Sequence, residues 1–287
     1  MYYSIKDKLA GVVILYNQDP KETLQNLLTY AESLNKIYII DNSTDKKYGV
    51  DIIMDKLGSK IEYFFDGQNE GIAKRLNFAA EYAIKDGYDF LLTMDQDSSF
   101  PNCSFDIYLE EISNCSIDNV AQFGVNSQPL FTKQNLTAQV VNFLITSGSI
   151  IILKHFIEIG KFNEHLFIDF VDIDFSFRIN NAKLKNIQYT NIILTHQIGE
   201  LVLGRSLQNF KITKRIIHSP IRVYYIVRNG LFLIFKTKNL NISSKIEIFK
   251  RMKILKNNYL YHPYLFKVYL CTLNGILDFF RNKMGKK

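Results

Sequence analysis

Four short apolar runs alternate with helical patterns in the first hundred residues, and every run stops at a polar corner. Residues 10–16 read Ala-Gly-Val-Val-Ile-Leu-Tyr and are followed by Asn-Gln-Asp-Pro. A run without polar alternation suits a strand buried on both faces, as in a parallel sheet. Residues 22–34 carry Leu24, Leu27, Leu28, Ala31 and Leu34 at helical spacing. Residues 36–40 predict a second strand, closed by Asp41-Asn-Ser-Thr-Asp45. A weaker helix over 50–57 leads to a third strand over 61–65. After the turn Asp66-Gly-Gln-Asn69, residues 70–85 predict an amphipathic helix through Ile72, Leu76, Ala79, Ala80 and Ala83. Residues 89–94 predict a fourth strand. This rhythm predicts an α/β fold, a Rossmann-like and mostly parallel sheet flanked by helices. Ligands of such sheets bind beyond the carboxyl ends of the strands. Here those ends are Tyr16-Asn17, Asp41-Asn42, the 66–69 turn and Asp95-Gln96-Asp97, and three of them carry acid.

Beyond Asp97 the rhythm loosens. Residues 120–125, 139–145 and 149–153 read as strands and 172–182 as a helix. From Arg205 onward the chain turns basic and aromatic, with 18 Lys and Arg against only Glu247 and Asp278. The preceding 204 residues hold 17 bases and 26 acids, so the net +7 conceals an acidic body and a basic tail. The expected organisation is a catalytic domain over 1–205 and a helical region over 206–287 that faces a membrane or an acceptor. A length of 287 residues with 47% hydrophobic content permits a core of that size. The sequence has no low-complexity tract, no internal repeat and no run of about 18 uncharged apolar residues. Cys103, Cys115 and Cys271 lack metal spacing and read as reduced thiols. Residues 1–9 lack the apolar core of a signal peptide. A cytoplasmic protein is therefore expected.

Certain motifs carry chemistry. In Asp95-Gln96-Asp97 two carboxylates, one residue apart at a strand end, suit a hard divalent cation, Mg²⁺ or Mn²⁺, that bridges a diphosphate. A lone triplet of this kind is more often a solvated turn; the preceding strand and the other acidic strand ends favour the metal. In Phe167-Ile-Asp-Phe-Val-Asp-Ile-Asp-Phe-Ser-Phe-Arg178 three acids, Asp169, Asp172 and Asp174, stand among large apolar residues. One of them, Asp169 or Asp174, reads as a helix cap; a carboxylate in such surroundings also suits a proton acceptor. In Thr195-His196-Gln-Ile-Gly199 the imidazole is either a third metal ligand or a hydrogen-bonded structural group. In Asn69-Glu-Gly-Ile-Ala-Lys-Arg-Leu-Asn77, Gly71 permits close backbone approach at a helix start. Lys74 or Arg75 then faces a diphosphate or solvent. No Gly-x-Gly-x-x-Gly or Gly-Lys-Ser/Thr loop is present.

The order of Tyr16-Asn17, Ile40-Asp-Asn-Ser43, Asn69-Glu-Gly-Ile-Ala73, Leu92-Thr-Met-Asp-Gln-Asp-Ser98, Thr146-Ser-Gly-Ser149, the 167–178 segment and Leu194-Thr-His-Gln-Ile-Gly199 resembles the family 2 glycosyltransferases of GT-A fold. Within them it resembles the bacterial rhamnosyltransferases that build O-antigen and related surface polysaccharides. Asp-Gln-Asp-Ser, the acidic 167–175 run and His218-Ser-Pro-x-Arg-x-Tyr-Tyr-x-x-Arg-Asn229 are its more specific parts, and the likeness covers about 9–230. It implies a metal held by Asp95, Asp97 and His196. It implies nucleotide contacts from Tyr16, Asn17, Asp41, Asn69, Gly71, Arg75 and Asp95, with Asp41 on the pyrimidine. Asp172 matches the catalytic base, with Asp169 as the alternative, because many members have Glu-Asp where this chain has Val171-Asp172. Gln96, Ser147, Gly148, Asp174 and Arg178 fall in the donor-sugar or acceptor region, Arg178 with a structural reading beside it.

The implied reaction is a single inverting displacement that moves rhamnose from dTDP-β-L-rhamnose to a glycan acceptor carried on a polyprenyl-diphosphate lipid. The implied protein is peripheral on the inner face of the plasma membrane, with a homo-oligomer possible. Arg222, Arg228, Lys250, Arg251, Lys253 and Lys256, with Tyr224, Tyr225, Phe232, Phe235 and Phe249, either meet anionic headgroups or pack on the catalytic domain. Rival readings are a family 2 enzyme using UDP-galactofuranose, UDP-glucose or UDP-N-acetylglucosamine, and a nucleotidyltransferase. The latter wants a Gly-rich basic loop where Tyr16-Asn-Gln-Asp-Pro20 stands. The acidic body argues against nucleic acid as a partner.

Overall fold

Residue 9 begins a strand in which every side chain is buried, β1 (Leu9–Leu15). In the computed structural model, residues 5–17, 19–45, 49–126, 138–196, 200–205 and 211–287 are described. Asp19 ends the first corner by capping α1 (Pro20–Leu27): its carboxylate accepts from Lys21 N at 2.8 Å, and Pro20 takes the first helical position. The expected helix over 22–34 starts at Pro20 and stops early, at Leu27, and a 3₁₀ turn at Ala31–Ser33 completes the connection. The alternation then runs as expected through β2 (Lys36–Asp41), α2 (Asp51–Leu57), β3 (Ile61–Phe65), α3 (Ile72–Lys85) and β4 (Phe90–Asp95).

The chain continues through α4 (Ser104–Ser113), β5 (Val120–Asn126), β6 (Ala138–Val141), β7 (Ser149–Ile152), α5 (Leu153–Ile159), α6 (Val171–Asn181) and β8 (Lys185–Ile193). The strand expected over 139–145 is shorter than its apolar run. After Val141 the chain leaves the ladder, and Leu144 N donates to Ser176 Oγ of α6 at 3.2 Å. The sequence pattern did not predict β8, because its polar positions hid a half-buried strand.

The sheet order is β3-β2-β1-β4-β7-β5-β8-β6. β1 pairs in parallel with β2 and β4, β2 with β3, and β5 with β8. β7 runs antiparallel between β4 and β5, and β6 is antiparallel to β8. Successive side chains of a strand face opposite sides. Thus Val12 and Ile14 join the cluster under α3 and α6, while Val13 and Leu15 join the cluster under α1 and α4.

A separate antiparallel ribbon, β9 (Glu200–Arg205) with β10 (Ile212–Ile217), straddles position 205 where the composition changes. It leads into α7 (Pro220–Lys236), α8 (Ile242–Tyr261) and α9 (Leu265–Phe280). Val223 and Ile226 of α7 and Ile248 of α8 share one apolar cluster with Leu76 of α3 and Ile173 of α6. Each such side chain is worth about 1.5–3 kcal/mol when fully buried, so the basic region is anchored to the sheet domain.

Candidate active site

β4 delivers Asp95 to the carboxyl edge of the sheet, beside Ile14 of β1. The turn after it closes with Ser98 N donating to Asp95 O at 3.1 Å. Ser99 and Thr195 then form a two-way backbone bridge, at 3.0 and 2.9 Å. That bridge carries His196 onto the acidic turn. Its Nδ1 lies 3.3 Å from Asp97 Oδ1, 3.9 Å from Asp95 Oδ2 and 2.8 Å from Ser98 Oγ. Ser147 Oγ donates to Ser98 Oγ at 2.8 Å and accepts from Asp95 N at 3.1 Å, so the turn is braced from the loop before β7.

Burial raises the Asp95 carboxyl above its ordinary value, and Asp97 beside it adds to the rise. Burial alone pulls the His196 imidazole down, but its hydrogen bond to Asp97 and the charges of Asp95 and Asp97 outweigh that and raise it. One ligand atom from each of Asp95, Asp97 and His196 lies within 4.8 Å of the others. Asp97 Oδ1 is buried and faces His196 Nδ1 at 3.3 Å. Two carboxylates and one imidazole whose ligand atoms converge at the sheet edge fit a divalent cation of the Mn²⁺ or Mg²⁺ kind.

The acidic run forms a strained loop entering α6. Phe167, Asp169 and Phe170 have φ of 61°, 64° and 66°, unusual for residues with side chains. The conformation is held by Asn229 of α7, whose Nδ2 donates to the carbonyls of Leu166, Ile168 and Asp169 at 2.6, 2.8 and 3.3 Å. Arg222 Nε reaches both oxygens of Asp169 at 3.1 and 3.2 Å. Asp172 lies in the first turn of α6; its Oδ1 accepts from Ile173 N at 2.9 Å and its Oδ2 from Arg251 at 2.7 Å. Asp174 is buried against Arg178, whose Nη1 also donates to Ile159 O at 3.0 Å.

At the corners of β1–β3 the polar residues bind one another. Gln96 clamps the Tyr16 backbone, accepting from its N at 2.6 Å and donating to its O at 3.1 Å. Asn17, at φ 54°, donates from its backbone N to Ser43 Oγ at 2.9 Å. The buried Asp41 accepts from Tyr63 OH at 2.9 Å and Ser43 N at 3.0 Å. Asn42 bonds Asn69, and Arg75 is spread over Asp66, Asn42 and the Gln68 carbonyl. Gly71 does permit close backbone approach, at φ 80°, but to the protein itself: a Cβ there would stand 2.5 Å from Phe167 O. The first N–H of α3, on Ile72, donates to that same carbonyl at 2.7 Å.

A cavity of about 480 Å³ gathers Tyr16, Asp95, Gln96, Asp97, Ser147, Asp169, Asp172 and His196. Asn17, Asp41, Asn69, Gly71, Arg75, Gly148, Asp174 and Arg178 do not line it. Of the 195–199 motif, residues 197–199 lie outside the described residues. The cavity also draws His218, Arg222, Glu247 and Arg251 from the basic region. Burial and the Arg222 charge push His218 down. Arg222 and Arg251 were offered as headgroup contacts; here they hold the two acids of the α6 loop. Arg228 is wholly buried, with Tyr224 and Tyr225 beneath its guanidinium. The signal for this was the His218–Asn229 motif, whose arginines sit on one helix with the clamp residue Asn229.

Comparison with known proteins agrees with this architecture. Residues 12–163 match the sequence profile of Glycosyl transferase family 2. Over 253 residues, 81% of each chain, the sequence is 27% identical to the dTDP-rhamnosyl transferase RfbF of Shigella flexneri. The fold is similar to the mannosyltransferase PcManGT from Pyrobaculum calidifontis, solved with GDP-Man and Mn²⁺ (TM-score 0.55, 12% identity, covering 94% of this chain and 74% of that one). It is also similar to residues 1–349 of S. aureus TarS with UDP-GlcNAc (TM-score 0.57, 14% identity, covering 96% and 81%). These likenesses show a GT-A fold, as the sequence motifs implied. With the profile spanning more than half of its length and the acidic turn standing at the sheet edge, the chain belongs to glycosyl transferase family 2.

Proposed function

We propose that this glycosyltransferase is an inverting, metal-dependent rhamnosyltransferase that uses dTDP-β-L-rhamnose and a glycan hydroxyl as acceptor. One observation carries the reading: the Asp95–Asp97–His196 cluster and the carboxylate of Asp172 open into the same cavity. The likeness to the Shigella dTDP-rhamnosyl transferase supports the donor.

Asp95, Asp97 and His196 would hold a divalent cation, Mn²⁺ in preference to Mg²⁺ because one donor is an imidazole, and it would supply positive charge to a departing diphosphate. Tyr16, half exposed beside the cluster, offers a ring face to the nucleoside. Asp172 takes the proton from the acceptor hydroxyl. That oxygen bonds to the anomeric carbon as the carbon's bond to dTDP breaks, and the electron pair leaves with the diphosphate. Attack from the opposite face gives an α-L-rhamnoside through an oxocarbenium-like transition state. Arg251 orients the carboxylate that accepts the proton, and Arg222 holds Asp169 in the strained loop beside it.

The test is release of nucleoside diphosphate from a panel of dTDP-rhamnose, UDP-galactofuranose, UDP-glucose and UDP-N-acetylglucosamine, with Mn²⁺ and with EDTA. Turnover of dTDP-rhamnose, abolished by EDTA and restored by Mn²⁺, is expected. Preference for a UDP-sugar would overturn the donor, and full activity in chelator would overturn the metal.

A further inference from the structure

Helix α9 is apolar on both of its long faces. Its inner face packs on α7: Val268 and Phe279 are buried, and a Cβ at Gly275 would stand 2.8 Å from the Tyr224 carbonyl oxygen. Its outer face carries Phe266, Tyr269, Leu270, Leu273, Leu277 and Phe280, at helical spacing, exposed by 75, 51, 43, 57, 47 and 73%. A single exposed leucine is ordinary, but an unbroken row of six large side chains along a helix of about 24 Å is not.

The charges exposed along α8, α9 and the residues after them are basic. Lys267 lies in the first turn of α9, Arg281 and Lys283 follow its end, and Lys250, Lys253 and Lys256 are exposed on α8. Of the two acids after residue 205, Glu247 takes Lys250 at 3.2 Å, and Asp278 is buried beneath the Tyr224 hydroxyl at 2.7 Å. An apolar stripe within a basic margin complements acyl chains beneath anionic headgroups. A second copy of the chain would set two basic margins against each other. A nucleic acid would meet the bases and leave the stripe in water. Among the described residues no helix is long and apolar enough to cross a membrane, so the contact is with one surface.

We propose that α9 lies in the plane of an anionic bilayer, its outer face at the acyl boundary and its basic margin on lipid phosphates. α8 links that face to the cavity. Glu247, Arg251 and Ile254 line the cavity, and further along the same helix the Tyr259 ring stacks on Tyr269 of α9, with centroids 5.6 Å apart. Resting on the transferase reading, this deepens it: an acceptor carried on a lipid would be presented beside the cavity. Binding to lipid itself does not depend on that reading.

The chain contains no tryptophan, so Leu273→Trp places a single reporter in the stripe. The full-length protein is expected to float with phosphatidylcholine vesicles containing about one-third phosphatidylglycerol, less so at raised salt and not with phosphatidylcholine alone. The Trp emission should shift to the blue and be quenched by lipids brominated in their acyl chains. Phe266→Ser, Leu273→Ser and Phe280→Ser combined should weaken vesicle binding by about tenfold or more, with circular dichroism and donor hydrolysis unchanged. An unquenched Trp, or flotation indifferent to the three serines, overturns the proposal. So does a dimer in sedimentation that those serines dissociate, because a second copy would then cover the face. Donor hydrolysis is read separately, so loss of it with vesicle binding intact sinks the transferase reading and leaves this one standing.

Discussion

Arg251 and Asp172 meet at 2.7 Å, a guanidinium nitrogen of α8 on a carboxylate oxygen in the first turn of α6. The contact joins the basic region to the acid proposed as catalytic base. Arg251 also lies over the Phe143 ring, 4.9 Å from its centroid, so its position is set from two sides. The carboxylate is thereby aimed before any acceptor arrives.

Replacing the acid and replacing its partner should therefore differ in degree. Asp172→Asn is expected to lower kcat by about 10²–10⁴-fold with donor binding retained, measured by single-turnover assay and by calorimetry with dTDP. Arg251→Ala should lower kcat by about 10–100-fold, and Arg251→Lys should recover part of the loss. Near-normal turnover in Asp172→Asn would move the base to Asp169.

The cation site is testable without turnover. Asp97→Asn and His196→Ala should each weaken Mn²⁺ binding by about 10–100-fold in calorimetric titration, because the first removes a ligand's charge and the second removes one donor from a set of three. Unchanged affinity in both variants would remove the site from this edge of the sheet.

The loop that carries the acids should depend on α7 and α3. Asn229→Ala leaves the Leu166, Ile168 and Asp169 carbonyls without their donor, and should cost about 2–3 kcal/mol in urea unfolding. Gly71→Ala sets a Cβ against Phe167 O at a positive φ and should cost a comparable amount, about 2–4 kcal/mol. Both should lose more activity than the unfolded fraction explains. Wild-type stability in either variant would show that the loop holds its shape unaided.

Asp66 and Arg75 give a pH signature away from the reaction. The Arg75 hydrogen bond holds the Asp66 carboxyl below its ordinary 3.8. A depressed acid contributes stability that is complete above its unfolded value and is lost as pH falls through the lower native value. Asp66 is half exposed, so the effect is screened, and Asp66→Asn should cost about 1 kcal/mol at pH 7. That gap between variant and wild type should close as the pH is lowered below 3.8. A gap constant with pH would mean that the pair adds nothing through charge.

Much of this architecture could be read directly from the chain. The apolar runs ending at Tyr16, Asp41, Phe65 and Asp95 are local patterns, and their parallel pairing follows from the helices between them. Asp95 and Asp97 were legible for the same reason, since a strand end and a two-residue spacing are local. The roles of Arg75 and Gly71 were not. A basic residue near a helix start looks alike whether it faces a ligand or an acid nine positions away, and a glycine does not say which backbone approaches it.

Local pattern thus settled the sheet, its acidic edge and the basic end of the chain. Folding settled which side chains meet. His196 reaches Ser98 across 98 positions through one backbone bridge at Ser99, and Arg251 reaches Asp172 across 79. Periodicity along a chain registers neighbours a few residues apart, whereas the first contact needs the distant pairing of Ser99 with Thr195 and the second needs the basic helices packed on α6 by apolar burial. That packing also left one face of α9 uncovered, which the residue order alone did not reveal.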